Sequence, residues 1–237
     1  VTTDVRLHGG AVYPEASLEK SDWDARDSMT ESLLELKNVT IDLEGKRLLE
    51  IDSRVGPGEI LTVMGPSGSG KSSLLAYAAG FLAPAFQSSG EIVINGADIT
   101  SLPAERRRIG LLFQDPLLFP HLSIAANLRF ALPKHSGDKS RLISQGLEDI
   151  GLAGFEDRDP GTLSGGQESR VALLRLLLSS PNAVLLDEPF SKLDTQLRQE
   201  IRTLVFDRLR ASGLPTILVT HDQADADAAG GDIHTLR

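Results

Sequence analysis

The segment EILTVMGPSGSGKSSLL, residues 59–75, decides the fold of this chain of 237 residues. Its first part is a short, apolar, β-rich run that ends at Met64 and is predicted to be a buried strand. Its second part matches G-x-x-x-x-G-K-[ST] and leads into an apolar run beginning at Leu74, predicted to be a helix. A strand, a glycine-rich turn and a helix in this order surround an anion with backbone N–H groups and the positive end of a helix. The segment therefore predicts an α/β fold with a nucleoside triphosphate site.

The triphosphate is expected to contact the glycine-rich turn and the start of the helix. Glycines let consecutive N–H groups turn inward on phosphate oxygens, Lys71 neutralises charge on the β and γ phosphates, and the Ser72 hydroxyl can ligate Mg²⁺. A flexible turn in front of a helix is the alternative, but the preceding strand, the spacing, the lysine and the serine all favour the functional interpretation. The predicted nucleotide-binding residues are Gly65, Pro66, Ser67, Gly68, Ser69, Gly70, Lys71, Ser72 and Ser73.

Short β-rich runs alternate with longer helical ones from Leu33 onward, which is the pattern of an α/β domain with a largely parallel sheet. Residues 183–186 (AVLL) and 216–220 (TILVT) are predicted to be further buried strands, each followed at once by polar residues. Ligands bind beyond the carboxyl ends of such strands, so these polar residues are candidates for the site.

Residues 1–32 are polar and acidic, and they are predicted to be a loosely ordered extension of the domain at 33–237, with Met29 as the natural start.

Composition excludes several classes of function. With a net charge of −9, the chain lacks the broad positive field that sequence-independent nucleic-acid binding needs, so no nucleic-acid partner is expected. The absence of cysteine excludes disulfides, thiol catalysis and metal sites with cysteine ligands. The longest mostly apolar stretch, residues 74–86, falls short of the roughly 20 residues that span a bilayer. No secretory signal is visible at the N-terminus, and export is not expected.

A second motif, LSGGQ at residues 163–167, separates this chain from other proteins with a similar phosphate-binding turn. Ser164 and Gln167 have the spacing of a capping box, the two glycines permit close approach of the backbone, and a very apolar helix is predicted to follow through Leu178. These features predict a second helix end that attracts phosphate. LSGGQ matches in full the signature of ABC (ATP-binding cassette) ATPases, and the chain resembles that family over most of its length.

The resemblance implies roles for residues beyond the two motifs. Gln114 in LLFQDP matches the glutamine that reaches the Mg²⁺ and the attacking water. Asp187 and Glu188 in AVLLDE match the aspartate of the Mg²⁺ shell and the glutamate that polarises the water. Residues 191–194 (SKLD) resemble the D-loop, and His221 matches the switch histidine that contacts the γ-phosphate. The implied catalytic residues are Lys71, Gln114, Glu188 and His221, the magnesium ligands are Ser72, Gln114 and Asp187, and the second phosphate site is Ser164, Gly165, Gly166 and Gln167.

The resemblance also implies an architecture and a function. The expected fold is a P-loop NTPase with a RecA-like parallel sheet core, an N-terminal antiparallel β subdomain and an inserted α-helical subdomain at about 115–165. The expected reaction is hydrolysis of ATP to ADP and phosphate with Mg²⁺, in a head-to-tail pair of subunits that encloses two ATP molecules. The pair is expected to drive solute import from the cytoplasmic face of the inner (cell) membrane, with transmembrane permease subunits and a periplasmic or extracellular solute-binding protein.

The importer interpretation rests on FQDPLLFPHLSIAANLRFAL, residues 113–132, which resembles the pattern of bacterial importer ATPases. The whole chain resembles the short thiamine or inorganic-anion importer type. Its apolar cluster at 116–122 resembles the groove that receives coupling helices of membrane subunits, and ordinary subdomain core is the alternative. Three other functions stay open: an exporter or lipid-extraction ATPase, a soluble ABC ATPase of DNA repair, chromosome maintenance or translation, and a kinase that phosphorylates a small molecule.

Several residues depart from the family pattern or follow its last motif. Leu43 stands near where an aromatic residue usually stacks on adenine, so weaker ATP affinity or poorer base selectivity is expected. Glu168 follows the signature where glutamine or a basic residue is more usual. After His221, no further strand and no regulatory domain are expected, and Asp225 and Asp227 are interpreted as a solvated acidic turn.

Overall fold

Two sheets organise residues 32–236, which are the residues that the computed structural model describes. The strands are β1 Leu34–Leu43, β2 Lys46–Val55, β3 Ile60–Met64, β4 Phe86–Ile94, β5 Ala97–Asp98, β6 Ile109–Leu112, β7 Ala183–Asp187, β8 Thr216–Val219 and β9 Ile233–Thr235. An antiparallel sheet has the order β2-β1-β4-β5, and a parallel sheet has the order β6-β7-β8-β3-β9. The predicted α/β fold is confirmed. Met29 and the predicted extension up to residue 31 lie outside the described residues.

The helices are divided between the sheets and an insertion. They are α1 Lys71–Ala79, α2 Ile124–Ala131, α3 Lys139–Asp149, α4 Gly165–Leu178, α5 Thr195–Ala211 and α6 Gln223–Ala229, with short 3-10 helices at Ala104–Arg106 and Pro160–Thr162. α2 and α3 fall between β6 and β7 in the sequence, and both pack against α4. They lie inside the predicted helical subdomain, whose boundaries remain a prediction. Within the described part of the chain, no helix is both long enough and apolar enough to cross a membrane.

The central strands of the parallel sheet form because their residues are apolar on both faces. β7 (AVLLD) and β8 (TILV) are buried throughout except for the final aspartate of β7, which is partly buried. Strands that are covered on both faces need such continuous apolar runs. The parallel pairing of β3, β7 and β8 brings their carboxyl ends to one edge of the sheet. The chemically important residues that follow these strands therefore meet at that edge.

β9 contradicts the expectation that no strand follows His221. Ile233–Thr235 pairs in parallel with β3, and the N–H of Leu236 donates to the Met64 carbonyl at 2.8 Å. The sequence IHT is short and its outer residues are exposed, so it carries no apolar pattern that would predict a strand. Backbone hydrogen bonds along the edge of β3 and burial of the Leu236 side chain hold the segment in place.

The acidic turn after His221 also differs from the interpretation of the sequence. Asp227 is exposed, as expected, and accepts a hydrogen bond from Gln223 Nε2 at 2.8 Å. Asp225, by contrast, is only 3% exposed. Its carboxylate accepts from Arg202 Nε at 2.8 Å and from Thr220 Oγ1 at 3.1 Å. Because Arg202 is 23 residues away in the sequence, the pairing that makes burial of this charge possible has no local signal.

Candidate active site

The glycine-rich turn, residues 65–70, joins β3 to α1 as the sequence predicts. Gly68 and Gly70 have φ values of 82° and 91°, in the left-handed region that residues with side chains rarely adopt. A Cβ atom at Gly70 would lie 3.2 Å from Leu48 Cβ in β2, so the turn also packs closely against the antiparallel sheet. The shape of the turn therefore depends on its glycines.

Two observations show that this turn fits a bound triphosphate. Lys71 as a residue is only 7% exposed. Its Nζ donates to the carbonyls of Gly65 and Pro66 at 2.8 Å each, so its positive charge lies next to the turn. The Ser69 hydroxyl is buried and has no hydrogen-bond partner within the described part of the chain. A phosphate oxygen would satisfy this orphaned group and would meet the positive end of α1.

The carboxyl end of β7 places Asp187 beside the start of α1. Ser72 Oγ donates to Asp187 Oδ1 at 3.3 Å. Burial raises the pKa of Asp187; the Ser72 hydrogen bond lowers it, the Glu188 charge raises it further, and Lys71 opposes that rise. A carboxylate and a hydroxyl in contact are the oxygen ligands that Mg²⁺ prefers, and a cation would favour the charged form of the carboxylate. These residues fit a magnesium ion, although that role remains a prediction.

Glu188 and His221 follow adjacent strands and are in contact. His221 Nδ1 lies 3.0 Å from Glu188 Oε1, and the Glu188 N–H donates to the Val219 carbonyl at 2.9 Å. The backbone of Glu188 is in the left-handed region, with φ of 45°. A residue with a side chain persists in this conformation only where the surroundings hold it, which is frequent at functional sites. The structure therefore brings together the two residues predicted to act on the water and the γ-phosphate.

The Gln114 side chain makes no hydrogen bond to the other predicted magnesium and catalytic residues, all of which the structure describes. Gln114 lies two residues beyond β6, whose Leu112 is paired with Leu186 of β7, so its backbone is at the correct edge of the sheet. Its side chain is exposed and makes no hydrogen bond to a residue that the structure describes. The adjacent Asp115 forms an ion pair with Lys192 of the D-loop. The roles of Gln114 toward Mg²⁺ and water remain predictions.

The signature forms the predicted capping box at the start of α4. Gln167 Oε1 accepts from the Ser164 N–H at 3.0 Å, and the Gln167 N–H donates to Ser164 Oγ at 3.4 Å. Ser164 and Gly165 are exposed, whereas Gly166 is buried against Leu197 of α5. No hydrogen bond or ion pair among the described residues joins the signature to the glycine-rich turn. The two predicted phosphate sites of one chain are therefore not in hydrogen-bonding contact.

Leu43, at the position where the family usually has an aromatic residue, ends β1. It is paired across the antiparallel sheet with Phe86 of β4, and both side chains are partly exposed. Cross-strand partners lie on the same face of a sheet, so Phe86 adds apolar surface next to Leu43. The weaker ATP affinity or poorer base selectivity expected from Leu43 stays a prediction.

The apolar segment at 116–122 lines a surface groove. A cavity of about 450 Å³ lies between β6, this segment, the end of α2 and α4. Leu117 and Phe130 on its rim are 57% and 71% exposed, and the rings of Phe130 and Phe119 lie edge to face with centroids 5.0 Å apart. Arg175 of α4 fixes the segment by donating to the Leu117 carbonyl at 2.9 Å. Leu117 and Phe130 leave apolar surface exposed at this groove, whereas Leu118 packs against the core. Binding of a membrane subunit here remains a prediction.

Arg198 and Asp222 are residues that the sequence reasoning missed. Arg198, near the start of α5, hydrogen-bonds to Asp222 and to backbone carbonyls of the D-loop, residues 191–194. An arginine in the first turn of a helix has no distinctive spacing, and Asp222 is 24 residues away. Only the fold reveals this connection.

Comparison with known proteins identifies close relatives of the described domain. Residues 48–191 match the sequence family described as ABC transporter. The chain is 47% identical over 199 residues to the uncharacterized ABC transporter ATP-binding protein YnjD of Escherichia coli, covering 83% of this chain and 92% of that protein. It is 41% identical over 198 residues to the thiamine import ATP-binding protein ThiQ of Jannaschia, covering 82% and 85% of the two chains. It is also 41% identical over 202 residues to the spermidine/putrescine import ATP-binding protein PotA of Mesoplasma florum, covering 84% of this chain but only 57% of that longer protein.

Proposed function

Because the chain belongs to the ABC transporter family, as an ATP-binding subunit with ATPase activity, we propose that it powers the import of a solute through a membrane permease. The relatives named as import ATP-binding proteins support the direction of transport. The proposal places the subunit on the cytoplasmic face of the inner (cell) membrane. It also assigns the complex a periplasmic or extracellular solute-binding protein, as the resemblance to importers of the thiamine and inorganic-anion type implies.

The proposed hydrolysis site is the contact between Glu188 and His221 beside the glycine-rich turn. Lys71 and the N–H groups of the turn would bind the phosphates, and Glu188 would polarise the attacking water while His221 contacts the γ-phosphate. Ser72 and Asp187, with Gln114, would hold Mg²⁺, which when bound neutralises charge on the phosphate oxygens. Phosphoryl transfer needs positioning and charge neutralisation more than covalent chemistry, and these residues supply both.

The exposed start of α4 supports a second copy of the chain as a partner. Ser164 and Gly165 are exposed, and within one chain they make no hydrogen bond to the glycine-rich turn. A capped helix start with exposed glycine backbone attracts phosphate. We place Ser164, Gly165, Gly166 and Gln167 of one copy against the ATP of the other, so that two ATP molecules are enclosed in a head-to-tail pair.

The groove beside α2 is the proposed docking site for the permease. Its exposed rim residues Leu117 and Phe130 offer apolar contacts to an amphipathic helix, and Arg175 holds the groove segment in shape. The groove lies next to the loop of Gln114, and Asp115 in that loop is paired with Lys192 of the D-loop. This connection would transmit closure of the ATP-bound pair to the membrane subunits.

The mass of Glu188→Gln in solution, with and without Mg-ATP, tests the proposed mechanism. Slower hydrolysis should trap the ATP-bound pair, so ATP should convert a monomer into a dimer. Adding Ser164→Ala should abolish the dimer, since the signature would lose its hydroxyl toward the partner's ATP. Ser123→Ala is the matched control, because Ser123 caps α2 in the same way by accepting from the Ala126 N–H, outside the proposed pair interface.

Either of two results would count against this mechanism. One is a mass that stays monomeric although ATP binds. The other is an equal loss of the dimer in the Ser123 and Ser164 variants, which would reduce the effect to a lost helix cap worth about 1 kcal/mol.

Co-purification of the chain with a permease and a solute-binding protein tests the direction of transport. A permease that never associates with a binding protein would favour export.

A further inference from the structure

Arg198, in the first turn of α5, lies between the two loops that carry the proposed hydrolysis residues. Its Nη2 donates to the carbonyls of Ser191 and Leu193, each at 3.1 Å, and its Nη1 donates to Asp222 Oδ2 at 3.0 Å. Ser191 and Leu193 belong to the D-loop, and Asp222 directly follows His221. One guanidinium group thus joins the D-loop to the loop after β8.

These contacts complete a closed ring of hydrogen bonds around the hydrolysis residues. The Glu188 carbonyl accepts from the Ser191 N–H at 3.2 Å and from Ser191 Oγ at 2.8 Å. Arg198 continues the ring from Ser191 to Asp222, and His221, the residue before Asp222, returns to Glu188 through the contact of 3.0 Å. Within this ring, Glu188 and His221 cannot move far apart unless a hydrogen bond breaks.

α5 gives this ring a firm support. Asp194 caps the helix by accepting from the Leu197 N–H at 3.0 Å, so the D-loop runs directly into the helix. One turn later, Arg202 pairs with the buried Asp225, which also accepts from Thr220 Oγ1 at the end of β8. The loop of His221 is therefore tied to α5 at two points.

We propose that Arg198 is a positioning residue for ATP hydrolysis. No hydrogen bond or ion pair joins it to the proposed phosphate-binding turn, residues 65–70, and it acts by fixing Glu188 and His221 relative to each other through the D-loop and Asp222. The planar guanidinium suits this task because its two terminal nitrogens, Nη1 and Nη2, bind partners in fixed directions, which a lysine ammonium cannot do. The inference rests on the proposed roles of Glu188 and His221. It adds that the D-loop, which would face the second copy, governs the geometry of this pair.

Arg210 provides a matched control on the same helix. Its Nη2 donates to the carbonyls of Ala228 and Ala229 at 2.9 and 2.6 Å, so it also joins α5 to another backbone segment. It lies at the opposite end of α5, three turns away from Arg198 and remote from the hydrolysis residues. Loss of either arginine removes hydrogen bonds from α5, but only loss of Arg198 should change the hydrolysis geometry.

The test compares Arg198→Ala, Arg198→Lys and Arg210→Ala in the full chain. Steady-state kinetics with Mg-ATP gives kcat, an ATP titration gives Kd, and hydrogen–deuterium exchange reports on residues 188–194 and 220–223 without turnover. For both Arg198 variants we expect kcat to fall about 10- to 100-fold, as for a small displacement of reacting groups, while Kd stays within about 3-fold. Exchange should rise in both segments together. For Arg210→Ala, kcat and the exchange of these two segments should stay unchanged.

Either of two outcomes would overturn the inference. One is an Arg198→Lys variant that keeps the original kcat, whether or not its exchange changes. The other is an equal effect of the Arg198 and Arg210 variants on kcat and on exchange in the two segments. If Arg198→Ala does not fold, Arg198→Lys alone decides, because it keeps the charge and most of the volume. Glu188→Gln measured in parallel separates the two levels of the argument. A wild-type rate in Glu188→Gln refutes the proposed role of Glu188, whereas the exchange data decide whether Arg198 ties the two loops.

Discussion

Replacement of Arg107 by alanine tests how the helix behind the phosphate-binding turn is held in place. The guanidinium of Arg107 is buried, with the residue 6% exposed, and it donates to the carbonyls of Tyr77 at 2.7 Å and Ala78 at 2.9 Å in the last turn of α1. It also donates to the carbonyl of Leu102 at 2.8 Å and to that of Thr100. The side chain thus closes the end of α1 and connects it to the segment before β6.

The expected loss follows from these four hydrogen bonds. Hydrogen bonds from a charged donor contribute more to stability than neutral ones. Burial of the charge costs free energy, however, and it lowers the pKa of Arg107. A net contribution of about 1 kcal/mol for each bond predicts a loss of about 4 kcal/mol in the free energy of unfolding. For a domain of about 200 residues, this corresponds to a decrease in Tm of roughly 8–16 °C.

Urea unfolding of Arg107→Ala and Arg106→Ala measures this loss against a matched control. Arg106 is the adjacent residue and is exposed, and its side chain makes no hydrogen bond or ion pair to a residue that the structure describes, so its removal should change stability by less than about 0.5 kcal/mol. Arg107→Lys should fall between the two, because an ammonium cannot reach all four carbonyls. A loss below about 1 kcal/mol for Arg107→Ala would refute the reasoning, since the carbonyls would then be satisfied without the guanidinium.

Two further predictions concern the site itself. Burial raises the pKa of Asp187 above its unfolded value, so ionisation of the carboxylate destabilises the fold as the pH rises through the interval between the two values. Asp187→Asn without metal or nucleotide should therefore be more stable than the original chain at pH 7 and lose this advantage below about pH 4, and equal stability in urea unfolding at pH 7 would contradict the prediction. Leu43→Trp should tighten ATP binding roughly 5- to 150-fold, since an aromatic–base stack contributes about 1–3 kcal/mol. Titrations with ATP and GTP check this, and an unchanged ATP affinity would show that another group holds the base.

The sequence predicted most of the candidate site because its chemistry depends on local motifs. The glycine-rich turn requires backbone conformations that glycine alone adopts easily, and the structure shows Gly68 and Gly70 in them. The capping box of Ser164 and Gln167 spans only one helical turn, so its spacing was sufficient to predict its hydrogen bonds. The strands before Gly65, Glu188 and His221 were predictable as well, because burial on both faces requires continuous apolar runs.

The sequence failed where a segment depends on partners far away in the chain. β9 has no apolar pattern and exists because the edge of β3 accepts its backbone, and Asp225 is buried because Arg202 reaches it from α5. The sequence could not separate surface from core in the apolar cluster next to Gln114, because the fold exposes Leu117 while Leu118 packs against the core.

By itself, the sequence determined which chemical groups this protein has and the order in which they follow its strands, since both properties are set by short stretches of chain. The tertiary structure alone decided which of those groups meet. Glu188 is 33 residues from His221, and Arg198 is 24 residues from Asp222, yet both pairs are within 3.0 Å in the folded chain. The physical reason is that parallel strands bring distant carboxyl ends to one edge of a sheet, and helix α5 supplies the arginine that holds two of these ends together.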